Sequence, residues 1–234
     1  ASWNYFLEIE EAGGYSEVIK SGWLADDIQG KWLERKNLAA KRKISLIGTN
    51  IYANPQEAVK DHSIDASHLE YITAKRLATP FEKLRARSRE VELKTAIIHL
   101  GPLKDVKTKS DFVEGLLAVG GIETEISPEL DDAEALNSYL ADHHIDYAVL
   151  CGLQEKLEMV IPAINSNTVL DVAVKYPVEL METWKSASLS DAVYSGQNIV
   201  EKLEQISQMT QEEAQKDLYE AVEKEARADM ARIY

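Results

Sequence analysis

Hydrophobic positions along this chain follow two different periods, and the change falls near residue 93. Before it, Trp3, Phe6, Leu7 and Ile9 share one helical face that stops at Gly13-Gly14. Trp23, Leu24, Ile28, Trp32 and Leu33 repeat the pattern through Lys43, so residues 1–44 read as helical. Ile44-Ser-Leu-Ile47 reads as a short strand-like run closed by Gly48-Thr-Asn50, residues 56–73 as loop, and Ala74–Glu92 as a helix interrupted early by Pro80. After residue 93, compact apolar runs alternate with helical ones. Ala96–Leu100, Glu123–Ile126, Tyr147–Leu150 and Val169–Val174 are expected strands, with Asp191–Tyr194 a fifth. Ser110–Val119, Ala133–His143, Gln154–Ile164, Val178–Lys185 and Asn198–Gln208 are the expected helices. Gln211–Arg232 reads as a charged terminal helix whose apolar positions are only Leu218, Val222 and Met230.

Strand-helix alternation at this pitch predicts a flavodoxin-like α/β domain, a doubly wound parallel sheet of about five strands with helices on both faces. Its expected span is residues 93–208, preceded by a helical region at 1–92 and followed by an acidic helix at 209–234. A chain of 234 residues that is 45% hydrophobic can bury such a core and carry an appendage. The balance of 40 acidic against 26 basic residues leaves a net charge of −14, which argues against nucleic acid or an anionic membrane as a general partner. Cys151 is the only cysteine, so no intrachain disulfide or cysteine-cluster metal site can form, and a reducing compartment is expected. No apolar run approaches the roughly 20 residues of a membrane span, so a soluble cytoplasmic or matrix protein is expected. The chain starts at Ala1 without an initiator Met, as a fragment or a processed protein does.

A doubly wound sheet seats its ligands beyond the carboxyl ends of its strands. There the first strand, Thr95–Gly101, runs into Pro102-Leu-Lys-Asp-Val-Lys-Thr-Lys109, expected to be a loop, which is neither a Gly-rich phosphate cradle nor a His/Asp ligand pair. His99 and Cys151 end neighbouring strands and form a minimal Cys-His constellation, against which stands the ordinary role of a strand cysteine as a small buried hydrophobe. Asp105 and Asp171 lack the clustered carboxylates and the fifth-strand lysine of a phospho-acceptor site, where Tyr194-Ser195-Gly196 stands instead. Gly120-Gly121 follows a helix and reads as its cap. His143-His144 lies at a helix end, where the C-terminal dipole favours it over a metal role. Lys83, Arg85, Arg87 and Arg89 form the most basic segment, expected to be a solvated face paired with Glu82, Glu90 and Glu92 rather than a docking site. The tryptophans at 3, 23 and 32 are either a core stripe or a face that packs on something larger.

Glu11-Ala-Gly-Gly14, Ile19-Lys-Ser-Gly-Trp23, Ile47-Gly-Thr-Asn50 and Arg76-Leu-Ala-Thr-Pro-Phe-Glu-Lys-Leu-Arg85, in that order, resemble the C-terminal half of the adenosylcobalamin-dependent acyl-CoA mutases, methylmalonyl-CoA mutase in particular. The resemblance extends to about Gln208. It implies that residues 1–92 are the end of a substrate barrel with its helical linker and that 93–208 is a cobalamin-binding-type domain.

Catalytic subunits of that family carry Asp-x-His-x-x-Gly after the first strand, the His coordinating cobalt. Here the corresponding residues are Leu103, Asp105 and Thr108, or in the other frame Lys104, Val106 and Lys109, and neither supplies the motif. The family's Ser-x-Leu becomes Cys151-Gly-Leu153, and its paired glycines have no equivalent in Asp171-Val-Ala-Val174. The resemblance is therefore to the small, non-catalytic β subunit of the heterodimeric enzyme, with no catalytic or metal-binding residue of its own. A degenerate cofactor site would lie near Leu103, Lys104, Asp105, Val106, Cys151, Leu153 and Gly196. The resemblance implies that the chain binds no cofactor, adenosylcobalamin residing in a large (α) partner subunit; from Trp3, Trp23 and Trp32 the chain is expected either to self-associate through residues 1–44, as a homodimer in isolation, or to bind the large subunit through its helical half and acidic tail. The alternative is a functional cobalamin-binding domain that takes its ligand from elsewhere, His99 being nearest.

Overall fold

The computed structural model describes residues 2–58, 76–89 and 93–207. Five strands, β1 (Thr95–Leu100), β2 (Thr124–Leu130), β3 (Tyr147–Gly152), β4 (Val169–Ala173) and β5 (Asp191–Val193), form one sheet in the order β2-β1-β3-β4-β5. All neighbouring pairs are parallel. This is the flavodoxin-like architecture that the alternating pattern predicts. The helices are α1 (Ser2–Glu11), α2 (Tyr15–Lys20), α3 (Trp23–Ala40), α4 (Thr79–Ser88), α5 (Leu103–Leu117), α6 (Ala133–His143), α7 (Gln154–Val160), α8 (Val178–Ala187) and α9 (Ile199–Ile206).

The chain steps one way from β1 to β2 and the other way from β2 through β5, so right-handed crossovers must put α5 on one face and α6, α7 and α8 on the other. The core divides accordingly. Ile97, Val149, Cys151 and Ala173 meet Val113 and Leu117 of α5 and Leu203 of α9. Ile98, Leu150 and Val172 meet Leu140, Leu157 and Trp184 on the opposite side. Strands buried on both faces read as continuous apolar runs, as β1 and β3 do.

The N-terminal helices join the first of these cores at one end only. Ala39 and Ala40 of α3, with Phe81 and Leu84 of α4, pack into the α5–α9 layer. Trp3 stays 68% exposed and stacks on Phe6, whereas Trp23 is half-buried against Tyr5. The strand-like run Ile44–Ile47 is not a strand: an isolated bridge joins Ile47 to Ile51. Buried Asn50 explains the difference, since its side chain accepts from Leu46 N–H and donates to the carbonyls of Ala39 and Ile44, folding the segment into a turn. Pro80 opens α4 rather than interrupting it, as suits a residue with no N–H to lose in a first turn.

Leu103–Lys109, expected as loop, forms the first two turns of α5. Pro102 sits in extended conformation at the N-cap, and Val106, Ser110, Val113 and Leu117 set a helical stripe that the polar residues between them conceal. β2 runs on through Ser127-Pro128 to Leu130, tolerable because it is an edge strand. The expected helix Gln211–Arg232 lies outside the described residues.

Candidate functional site

The carboxyl ends of β1 and β3 flank the point where strand order reverses, the ligand crevice of this fold. At the β1 end, Gly101 takes φ +103°, which lets the chain turn sharply into Pro102 and α5. The N-terminus of α5 would attract an anion, yet its first N–H, that of Leu103, already donates to the Glu129 carboxylate from the end of β2 at 2.9 Å. Val106 is fully buried in the core. Lys109 reaches over the end of β3, where its ammonium donates to the Gly152 carbonyl and lies 3.4 Å from the Tyr176 hydroxyl. Burial lowers the Lys109 pKa.

His99 and Cys151 are direct register partners on the same face of the sheet. They do not make a nucleophile pair. His99 is buried and shares a 2.8 Å hydrogen bond between its Nε2 and Ser110 Oγ of α5. Burial lowers its pKa, which favours the neutral imidazole. Cys151 is fully buried, and that burial pushes its thiol up to about 12 against the smaller opposing pull of Lys109. A protonated, enclosed thiol is inert.

Of the residues expected to mark the degenerate site, Leu103, Lys104, Asp105 and Val106 form the first turn of α5, Cys151 lies near the end of β3, and Leu153 follows that strand as the N-cap of α7. Gly196 stands apart, after edge strand β5, where it lines a cleft of about 650 Å3 with Tyr176, Met181, Lys185 and Asp191. Gly121 caps the helical segment at φ +71°. His143 stacks on Tyr139 and donates to its carbonyl, and His144 caps α6 in the left-handed region, both at the opposite end of the sheet from the crevice. Among the described residues no imidazole is exposed at the strand ends, and no group of three or more His, Cys, Asp or Glu is disposed to hold a metal.

The basic segment is a solvated face only in part, with Lys83 and Arg89 exposed but Arg85 turned inward. Arg85 is buried and donates to the carbonyls of Val119 and Gly48, and Arg89 to those of Gln56 and Glu57, while Glu82 pairs with Arg76 at 2.7 Å. These arginines pin α4 to neighbouring loops. Asp171, weighed only as a phospho-acceptor, is instead buried in β4 and held at 2.7 Å by Lys202 of α9 and at 2.7 Å by the Tyr147 hydroxyl. The signal for that pair was an acidic residue inside an apolar strand, which demands a partner.

Residues 1–118 match the methylmalonyl-CoA mutase family. The chain belongs to that family. Within it, a methylmalonyl-CoA mutase small subunit from Streptomyces virginiae is 29% identical over 184 residues, covering 74% of this chain and 30% of the relative. Probable methylmalonyl-CoA mutase small subunits from Mycobacterium bovis and Mycobacterium tuberculosis are each 32% identical over 158 residues, covering 64% of this chain and 24% of the relative. The matched region thus spans only 24% to 30% of the length of these mutase relatives.

Proposed function

We propose that this chain is part of the non-catalytic small subunit of a cytoplasmic, adenosylcobalamin-dependent methylmalonyl-CoA mutase, and that its α/β domain serves assembly without holding cobalamin. In this reading the interconversion of methylmalonyl-CoA and succinyl-CoA takes place on a large subunit. The observation that carries it is His99. The described imidazole nearest the crevice lies within β1 and bonds Ser110 in the helix layer, while Val106 is core and Lys109 covers the end of β3. Among the described residues no imidazole stands beyond these strand ends to coordinate cobalt, which supports the reading that cobalamin is not held here.

Assembly is supported by α1, whose Trp3, Phe6 and Leu7 remain exposed. Apolar surface of this kind is characteristic of protein interfaces. We expect no change in the cobalamin absorbance spectrum on titration with the chain, together with co-purification with the large subunit that Trp3→Glu and Phe6→Glu weaken. A histidine-coordinated cobalamin spectrum lost in His99→Ala, or failure to associate with the large subunit, would refute the assignment.

A further inference from the structure

The cleft beside Gly196 lies along the open edge of β5, away from the point where strand order reverses. It holds about 650 Å3, inside the span of about 300–1,000 Å3 usual for small-molecule sites. Its walls come from α8, β5 and α9, and Lys41 at the end of α3 borders it from the helical region. Four lysines line it, Lys41, Lys175, Lys185 and Lys202, and no arginine does. That convergence stands out on a chain of net charge −14.

Two of these lysines are engaged within the chain. Lys202 holds Asp171 and Asp191, and Lys185 holds Asp191 at 2.9 Å. Lys41 and Lys175 are exposed and pair with no carboxylate among the described residues. The Lys175 ammonium instead lies 5.4 Å from the centre of the Tyr194 ring. The turn that delivers it is strained: Val174, immediately before it, holds φ +86°, a region β-branched residues avoid, and such strain concentrates where a chain is shaped to bind. The N-terminus of α9 also borders the cleft, but Asn198 Oδ1 already accepts from the N–H groups of Val200 and Glu201. Attraction for an anion therefore falls to the two ammonium groups. Lysine suits phosphate as a point charge, whereas a planar carboxylate is matched best by the arginine fork that is missing from this lining.

The remaining walls specify the rest of the ligand. Tyr176, Val178 and Met181 offer aromatic and apolar surface, while Glu182 and Glu201 present carboxylates. Glu201 Oε1 accepts from the Asn198 amide at 2.6 Å, which leaves both carboxylates with acceptor capacity. These groups repel a bare polyanion but suit the donating hydroxyls of a ribose. We propose that the β5-edge cleft is a binding site for a nucleoside phosphate, with its phosphates on Lys41 and Lys175, its ribose hydroxyls toward Glu182 and Glu201, and its base on the apolar wall. Because Lys41 belongs to the helical region and Lys175 to the α/β domain, the ligand ties the two together. The site goes beyond the small-subunit reading and does not depend on it.

Calorimetric titration of the chain with ADP, adenosine, inorganic phosphate and hydroxocobalamin tests this. ADP is expected to bind with a Kd below about 1 mM, at least about tenfold more tightly than adenosine or inorganic phosphate, and to weaken as salt is raised. Lys41→Gln and Lys175→Gln should each weaken ADP about tenfold, as the loss of one charge-assisted contact does, while Lys20→Gln, at an exposed lysine of α2, leaves it unchanged. Both cleft lysines are exposed, so these variants keep the fold. Amide NMR shifts on adding ADP should cluster at residues 174–185 and 191–202. ADP that fails to saturate below about 1 mM would overturn the proposal. So would inorganic phosphate binding as tightly as ADP, which would leave an adventitious ion only, or a loss in Lys20→Gln equal to that in the cleft variants. Displacement of ADP by hydroxocobalamin would make the cleft part of a cofactor site and overturn it equally.

Discussion

Lys202→Met tests the most consequential polar contact in the α/β domain. Lys202 Nζ lies 2.7 Å from Asp171 Oδ2, and the two side chains are 6% and 2% exposed. At that distance and an effective dielectric constant of about 20, the attraction is about 6 kcal/mol, offset in large part by the cost of desolvating both ions. The informative quantity is therefore the loss when one ion is left behind. Methionine keeps the apolar stem of residue 202 and removes only the charge. Asp171 would then retain one donor, the Tyr147 hydroxyl, in a buried strand. We expect a loss of about 3–5 kcal/mol, typical of a buried charge stripped of its partner. Asp171→Asn should cost less, because Lys202 keeps Asp191 at 3.3 Å and the amide still accepts from Tyr147. Combining the two removes the orphaned charge, so the double variant should recover at least about 1 kcal/mol relative to Lys202→Met alone. Urea unfolding at neutral pH measures all four species. A Lys202→Met loss under about 1 kcal/mol, or a double variant less stable than Lys202→Met, would refute the view that the pair locks α9 to the sheet.

Two further outcomes follow from the strand-end chemistry. With its thiol pushed up to about 12 by burial, Cys151 should resist thiol reagents in the folded protein and react promptly once urea unfolds it; rapid native-state modification would contradict its enclosure. Burial lowers the His99 pKa below 6.5, outweighing the opposing pull of Glu129 and Asp111, so the unfolded chain takes up a proton that the folded one refuses. The contribution is neutral above that value and turns destabilising as pH falls through it, until the lower folded-state pKa is passed. His99→Gln should lessen the drop in urea midpoint between about pH 7.5 and about pH 5.5, and parallel drops in both proteins would reject the assignment.

The fold was legible because a parallel sheet buried on both faces writes itself as apolar runs. Thr95–Leu100 and Tyr147–Gly152 are buried at every position, and the period changes audibly to helical between them. What stayed hidden has a common cause. The start of α5 carries Lys104, Asp105, Lys107 and Thr108 among its first six residues, so a stripe anchored by Val106 and Ser110 looked like loop. The turn at residues 44–50 depends on one buried asparagine reaching back to Ala39, a contact no local period encodes. Pattern reports which residues face a core. It does not report which side chain spans two elements.

The candidate site obeys the same division. Sequence could register that a histidine motif was missing after β1, because absence of a residue type needs no geometry. It could not register what stands there, since Glu129, Lys109 and Tyr176 come from β2, from the second turn of α5 and from the loop after β4. Each satisfies a backbone group or a neighbour that a ligand would otherwise have met. With those groups engaged, exposed apolar side chains at Leu103, Leu153, Val174 and Val178 stand among exposed polar ones such as Lys104, Asp105 and Lys175. The apolar members offer little hydrogen-bonding return for a polar ligand stripped of water. At these positions the exposed apolar side chains therefore return more from contact with another apolar surface than from a polar ligand.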